Sequence, residues 1–349
     1  MGSPYFIQFY PTLRCNQGCR FCFNQNIQGV SSYKDMSRND ALILAWILAE
    51  TGFQEVDILG GEPMLVPWIK EFSRQVTAFD MTLNISTNGS LPEKVEELAD
   101  IPSESINVGF SLHGFTRTHN ALTVSDNFSR VVQGIENMIR AGKNPVVKST
   151  LTAENKDEIK ELVMFLKNLG VKRYYLLHED TIGRSNASGF SFPEFREGFL
   201  KIQEGLKGIL DIGFVAASAF YKYGSRTQGR CDAGITKLAL LPDGAVFPCN
   251  LFFGFGEFCL GNIFKDDLKK ILENPVLEKF RNFRGNQCTF NACRHHSTCS
   301  GGCPAHSYFF HGSLDSADPR CTGMELREKV SVQKKGMFSY MPFPLRTDS

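Results

Sequence analysis

Residues 14–24 read RCNQGCRFCFN, which sets three cysteines in one short loop: Cys15, three residues, Cys19, two residues, Cys22. A structural zinc site takes four ligands in tetrahedral closure, and a redox Cys-x-x-Cys pair takes two. Three suits neither. A cubane [4Fe–4S] cluster has four irons, so three thiolates leave one iron open to something other than protein. The spacing therefore points to chemistry at a cluster rather than to a structural site.

The runs around this loop indicate where it sits. YFIQFYP (5–11) is a short β-type run directly before it, and further runs follow at EVDILGG (55–61), MTLNIST (81–87), SINVGFSL (105–112), PVVKSTLT (145–152) and KRYYLLHE (172–179). Helical segments lie between them: RNDALILAWILAETG (38–52), VPWIKEFSRQVTAF (66–79), FSRVVQGIENMIRAG (128–142) and NKDEIKELVMFLKNLG (155–170). The last two carry apolar residues at three- and four-residue spacing and end at glycine, as helix C-termini do. Such alternation means a parallel sheet with helical crossovers. Six units fall short of an eight-stranded barrel, so the expected fold class is α/β, a partial (β/α)6 TIM-type barrel with its active site at the C-terminal strand ends. The cysteine loop follows the first strand and falls on that face.

Composition narrows the rest. The chain has 349 residues, enough for two or three domains, and its 38 Lys and Arg nearly balance 37 Asp and Glu. A net charge of +1 implies no polyanion-binding surface, so nucleic acid is excluded as a partner. No apolar run approaches the roughly 18–20 residues needed to cross a bilayer, and no basic flank precedes an apolar core at the N-terminus. A cytoplasmic chain with no membrane contact is expected. Eleven cysteines in such a chain argue for metal or redox work rather than disulfides. They are grouped: three at 15–22, then none until the eight from Cys231 to Cys321.

Cys15-x3-Cys19-x2-Cys22, with aromatic Phe21 just before the last cysteine, resembles the signature of the radical S-adenosylmethionine (SAM) enzymes. The resemblance implies that the open iron of the cluster is chelated by the amino and carboxylate groups of SAM. Reductive cleavage then gives a 5′-deoxyadenosyl radical that abstracts hydrogen from substrate. GGEP (60–63) resembles the family's motif for the SAM amino group. Glycines such as Gly60 and Gly61 let backbone carbonyls approach a ligand, and Glu62 can accept from an ammonium. Alone, the same residues also read as a helix-initiating turn. STNG (86–89) and SLHG (111–114) close the third and fourth strands and resemble positions that contact the SAM ribose and carboxylate, which implicates Ser86, Asn88 and Ser111. In the fifth strand Lys148 and Ser149 occupy the region of a further contact, where the family often has Asn; Ser149 is the candidate. TIGRSN (181–186) is similar to a Pro-x-Gly-Arg-Ala turn, with Thr181 in place of proline. Arg184 there is either a partner for a carboxylate of SAM or substrate, or a solvated loop arginine.

Cys231, twelve residues, Gly244, four residues, Cys249 resembles the opening of a SPASM domain, the auxiliary-cluster extension of this superfamily. Within it, LLPDGAVFPC is a hairpin signal, Pro-Asp-Gly between apolar runs. Cys288, Cys293, Cys299, Cys303 and Cys321 resemble the later group, although four residues separate Cys288 from Cys293 where two are usual. The resemblance implies that Cys231, Cys249 and Cys303 hold a first auxiliary [4Fe–4S] cluster and that Cys288, Cys293, Cys299 and Cys321 hold a second. Cys259 is either the fourth ligand of the first, which would employ all eleven cysteines, or a buried apolar cysteine beside an open iron. His295, His296, His306 and His311 read as surface or supporting residues, and a zinc-only C-terminal domain is the competing reading. The expected organisation is a barrel over 1–190, a bridging helical segment over 191–227, a SPASM domain over 228–325 and a tail over 326–349.

Three functions compete. The first is a radical SAM oxidoreductase or related enzyme that cross-links, oxidises or epimerises a ribosomal peptide in natural-product biosynthesis. The second acts on a small molecule such as a sugar, aminocyclitol or tetrapyrrole. The third is electron transfer without radical catalysis, which would leave GGEP and the strand-end motifs with no job. Within the peptide class, sulfatase-maturing enzymes place an aspartate base immediately after the cysteine that Cys249 resembles. Here that residue is Asn250, which cannot take a proton in that way. The chemistry requires a low-potential electron donor such as a ferredoxin or flavodoxin. With no recognition domain before Cys15, a peptide is expected to be recognised by the core, the tail or a separate protein. No residue is assigned as catalytic acid or base.

Overall fold

Alternation along the strands decides how the sheet is used. In the computed structural model, which describes residues 6–26, 34–184, 192–215, 231–282 and 301–321, the first six strands are β1 (Phe6–Phe9), β2 (Glu55–Ile58), β3 (Thr82–Thr87), β4 (Ile106–Ser111), β5 (Val146–Leu151) and β6 (Arg173–His178). They pair in chain order, all parallel. One face of each carries residues such as Ile7, Phe9, Val56, Ile58, Leu83, Ile85, Phe110 and Leu176, which are buried in the core. Helices α1 (Arg38–Glu50), α2 (Ile69–Ala78), α3 (Pro92–Glu96), α4 (Thr116–Thr123), α5 (Phe128–Arg140) and α6 (Ile159–Leu169) fill the connections. Their buried residues recur at helical spacing, as in Ile159, Leu162, Val163 and Leu166 of α6. Ser37 caps α1, its hydroxyl accepting from the Asp40 N–H at 3.1 Å.

The opposite, concave face is polar. Asn84 donates to Glu55 and Asp57 at 2.7 and 2.6 Å and accepts from Asn107 at 2.9 Å, while Arg173 donates to Asn107 at 3.0 Å. Lys148 donates to Ser86 at 2.8 Å. A closed eight-stranded barrel fills its interior with branched apolar side chains. This lining instead suits an open cleft that takes a polar ligand.

The partial barrel followed by a cysteine-rich module holds, and the sheet extends beyond six strands at both edges. Helix α7 (Phe192–Gly205) leads to β7 (Asp211–Val215), which pairs parallel with β6, so the bridging segment supplies a strand as well as a helix. The expected hairpin forms from β8 (Lys237–Leu240) and β9 (Ala245–Phe247), with the short β10 (Gly261–Asn262) beyond them. β8 also pairs parallel with β1, Phe6 opposite Lys237 and Phe9 opposite Leu240. The result is one open ten-stranded sheet, β10-β9-β8-β1-β2-β3-β4-β5-β6-β7. The C-terminal module is thus built directly onto the first strand. It is also tied to the far side of the barrel: Arg320 donates to Asp180, just after β6, at 3.0 Å and pairs with Asp318 at 2.9 Å. Among the described residues no helix is long and apolar enough to cross a membrane.

Candidate active site

The loop that carries Cys15, Cys19 and Cys22 leaves the end of β1 and is held by its neighbours' backbones. Glu62 N–H donates to the Arg14 carbonyl at 2.8 Å, Gly18 N–H to Thr123 at 3.1 Å, Arg20 N–H to Leu122 at 2.9 Å and Arg184 N–H to Cys22 at 3.0 Å. These anchors come from the end of β2, the end of α4 and the turn after β6. Two of them need glycine. A Cβ on Gly61 would stand 1.9 Å from the Arg14 oxygen, and one on Gly183, at φ +83°, would stand 2.3 Å from the Cys22 oxygen. Gly60 accepts from Asn24 at 3.1 Å, which joins the second strand end to the residues just past Cys22.

The three thiols are half-buried and act on one another. Burial, helped by the neighbouring Cys22 and Cys15, pushes the Cys19 thiol up to about 12, and burial pushes Cys15 up to about 11. Such thiols keep their protons until a metal displaces them. Among the described residues no three Cys, His, Asp or Glu side chains converge as the ligands of one ion would. Three half-buried thiols carried by one loop are the donor set by which proteins hold iron–sulfur clusters, so the residues present fit such a cluster.

Around the loop, the strand ends supply the other side chains. Glu62 is 1% exposed and caps the short turn Pro63–Leu65. Its Oε1 accepts from Met64 N–H at 3.0 Å and Thr87 Oγ1 at 2.7 Å, and its Oε2 accepts from Asn88 N–H at 2.7 Å. The turn reading of GGEP holds, since Glu62 initiates a helical turn, and its Oε2, with one donor, has acceptor capacity left. Asn88 Nδ2 lies 3.9 Å from Cys15 Sγ. Ser86 and Ser111 lie on the concave face, Ser86 engaged by Lys148. Phe21 packs edge-on against His113 at 4.6 Å. His113 Nδ1 accepts from the Thr150 N–H at 3.1 Å, and burial holds the ring neutral, which leaves its proton on Nε2. The Arg184 guanidinium lies beside Gly18 and favours the ionised form of Cys19, so it faces the cysteine loop rather than open solvent.

Ser149 is not with them. It is fully buried on the other face of β5 and donates to the Leu112 carbonyl. Successive residues of a strand point to opposite faces, so Lys148 takes the concave position and Ser149 the core position. Asp57 was not picked out from the sequence; burial raises its carboxyl, and the Lys148 and Lys237 ammonium groups oppose that. The signal for it was a polar residue alternating with Val56 and Ile58 in a strand whose other face is core.

In the C-terminal module, Cys231, Cys249 and Cys303 share the electrostatic environment of Lys237, whose ammonium all three favour. Cys303 stands at the N-cap of the helix Pro304–His311, where burial pushes its thiol up to about 12 and the Arg320 charge and the His306 backbone oppose that. Among the described residues Cys259 stands apart: its sulfur lies 3.7 Å from the Gly261 carbonyl, and the charges that act on it there are Asp243 and Asp266, not the other described cysteines. The half-buried Cys321 follows Asp318, its N–H donating to the Asp318 carbonyl at 3.0 Å. Cys288, Cys293 and Cys299, with His295 and His296, lie outside the described residues. Tyr10, also missed in the sequence, is fully buried between the two cysteine groups. Burial raises its phenol well above the ordinary value, and Cys249 and Cys22 both add to that.

Glu62 carries a pH prediction. Burial lifts its carboxyl from the ordinary 4.5 to about 7, so the folded chain holds the proton longer than the unfolded chain. Its stabilising contribution is complete below about 4.5 and is lost as pH rises to about 7, a change of about 3 kcal/mol. Glu62→Gln stays neutral throughout. In cluster-free protein the Tm advantage of the wild type over this variant should therefore shrink between about pH 5 and about pH 8. A gap that is constant with pH in scanning fluorimetry would refute it.

Comparison with known proteins agrees with this geometry. Residues 9–176 match the model of the radical SAM superfamily, and residues 231–303 match that of the iron–sulfur cluster-binding SPASM domain. The AdoMet-dependent heme synthase of Methanosarcina barkeri is 24% identical over 346 residues, covering 92% of this chain and 97% of the relative. The mycofactocin maturase MftC of Mycolicibacterium smegmatis is 26% identical over 352 residues, covering 96% and 88%. The fold is similar to that of Streptococcus suis SuiB bound to S-adenosylmethionine, with a TM-score of 0.77 at 20% identity over 92% of this chain and 77% of that one. With its cysteine loop inside the first match and the Lys237 cysteine group inside the second, the chain belongs to the radical SAM superfamily and carries a C-terminal SPASM domain, a family that works with SAM and iron–sulfur clusters.

Proposed function

We propose that this enzyme modifies a ribosomally made peptide by hydrogen abstraction, forming a cross-link or oxidising or epimerising a residue. The carrying observation is that both cysteine groups border the polar face of one sheet: Asn88, after β3, stands 3.9 Å from Cys15, and Gln8 of β1 stands 4.0 Å from Cys249. When bound, the SAM cluster supplies the electron that cleaves SAM to the 5′-deoxyadenosyl radical. The chain's own residues do the rest. Cys15, Cys19 and Cys22 hold the cluster, and Glu62 Oε2 and the Gly60–Gly61 backbone receive the amino end of SAM. Phe21, braced by His113, covers the adenine. Asn88, Ser86 and Ser111 meet the ribose and carboxylate, and Arg184 favours the thiolate form of Cys19.

The peptide class is supported by relatives with related names: MftC is a maturase, and a further relative, 26% identical over 310 residues, is the antilisterial bacteriocin subtilosin biosynthesis protein AlbA of Bacillus subtilis. A second reading, a tetrapyrrole or other small molecule, is favoured by the near full-length match to the heme synthase. A ferredoxin or flavodoxin would supply electrons in either case, and a separate recognition protein would serve the first.

The test uses reconstituted enzyme, SAM and reductant without oxygen, with a short peptide encoded beside the gene and a porphyrin as rival substrates. The proposal expects the peptide to lose hydrogen by mass spectrometry or to gain solvent deuterium. An unaltered peptide together with a converted porphyrin would decide for the second reading.

A further inference from the structure

Between the two cysteine groups runs a chain of polar contacts that neither cluster motif explains. Tyr10 follows β1, is pinned by its N–H to Leu240 at 3.0 Å and packs edge-on against Phe253 at 5.0 Å. Its hydroxyl accepts from Asn250 Nδ2 at 2.9 Å and from the Asn24 side chain. The other end of the Asn250 amide, Oδ1, lies 3.0 Å from Cys249 Sγ. In the metal-free chain this arrangement is satisfied, because a thiol can donate its proton to Oδ1.

A cysteine that binds iron has no such proton. A thiolate sulfur and a carbonyl oxygen at that separation are two acceptors facing each other. A carboxamide has nearly the same shape at both ends, so a half-turn about its terminal bond removes the conflict. Nδ2 then donates to the sulfur, and Oδ1 accepts from the Tyr10 hydroxyl. Tyrosine can make this exchange because its hydroxyl both donates and accepts, and its oxygen still accepts from Asn24. Each of the three contacts in the chain faces a donor to an acceptor in both states. An aspartate at position 250 offers no donor to the sulfur, and an apolar residue offers none to either neighbour.

We propose that Asn250 is the hydrogen-bond donor to the Cys249 thiolate of the first auxiliary cluster, and that Tyr10 is the positioning residue that locks its amide in that sense. This rests on the reading of Cys249 as a cluster ligand. Hydrogen bonds to cluster sulfurs withdraw charge and favour the reduced state, so the pair holds the potential of this cluster up. The residue that cannot act as a base thereby gains a role in tuning the cluster.

The experiment is an EPR-monitored redox titration of the full-length, anaerobically reconstituted protein, with iron counted in every sample. Asn250→Leu should move the midpoint of one cluster to lower potential and leave unchanged the signal that responds to added SAM. Asn250→Asp should move it further, because a negative charge replaces the donor. Tyr10→Phe should move it in the same direction by less, and it keeps the proposal testable if the position 250 variants fold poorly. Unmoved midpoints at full iron content in Asn250→Leu and Tyr10→Phe overturn the proposal, as does a shift confined to the SAM-responsive signal. Cys249→Ala separates the two levels. If it retains all its iron and signals, Cys249 is not a ligand and the underlying reading fails. If it loses one cluster while Asn250→Leu shifts nothing, only the donor assignment fails.

Discussion

Replacing Cys15, Cys19 and Cys22 together with alanine should remove about four irons per chain and abolish formation of 5′-deoxyadenosine, while the C-terminal clusters stay. The two sets of thiols are carried by different parts of the sheet. The first sits in a loop held by the Glu62, Gly18, Arg20 and Arg184 backbone bonds, and the second sits on the β8–β9 hairpin and the helix Pro304–His311. No ligand is shared, and none of those four bonds uses a cysteine side chain, so the loop should keep its path. The check is iron and sulfide analysis beside chromatography of anaerobic reactions with dithionite. Persistent 5′-deoxyadenosine in the triple variant would sink the assignment of this loop.

Cys249→Ala and Cys259→Ala should differ sharply. The first should cost the chain one auxiliary cluster, about four irons, because Cys249 stands with Cys231 and Cys303 around Lys237. The second should leave iron content and spectra unchanged. Its sulfur looks toward Gly261, and its charged neighbours are Asp243 and Asp266, a pair that disfavours a thiolate. On that outcome a cluster held by Cys231, Cys249 and Cys303 alone would keep one iron open to substrate or to an external thiol. Equal iron loss in the two variants would return Cys259 to the ligand set.

What could be read in the chain beforehand follows the range of the interactions involved. The six strands and their crossovers were legible because alternation and helical spacing are local, and the cysteine loop declared its face by following β1. The attachment of β8 to β1 was not, since pairing between residues 6–9 and 237–240 leaves no trace in either segment. β7 was hidden for a related reason: DIGFV is short and contains glycine, and only β6 makes it a strand. Ser149 shows a finer limit. Val146 and Val147 are both buried, so the apolar pattern does not reveal which of Lys148 and Ser149 faces inward. The turn-initiating role of Glu62 was legible because it needs a carboxylate next to proline at a strand end. Tyr10 and Asn250 were not legible as a pair, because their contact spans 240 positions.

The placement of β1 between β2 and β8 also dictates an order of events at the ribosome. A strand of four residues near the start of the chain completes its pairing only after residues 237–240 have been synthesised and emerged. Contacts of such long sequence separation form late, because the intervening chain must first be closed into a loop. The cysteine loop attached to β1 is anchored from residues 62, 122–123 and 184, so its own bonds can close before that event, and the β1–β8 pairing is the late step that joins the auxiliary module to a barrel whose loop is already set.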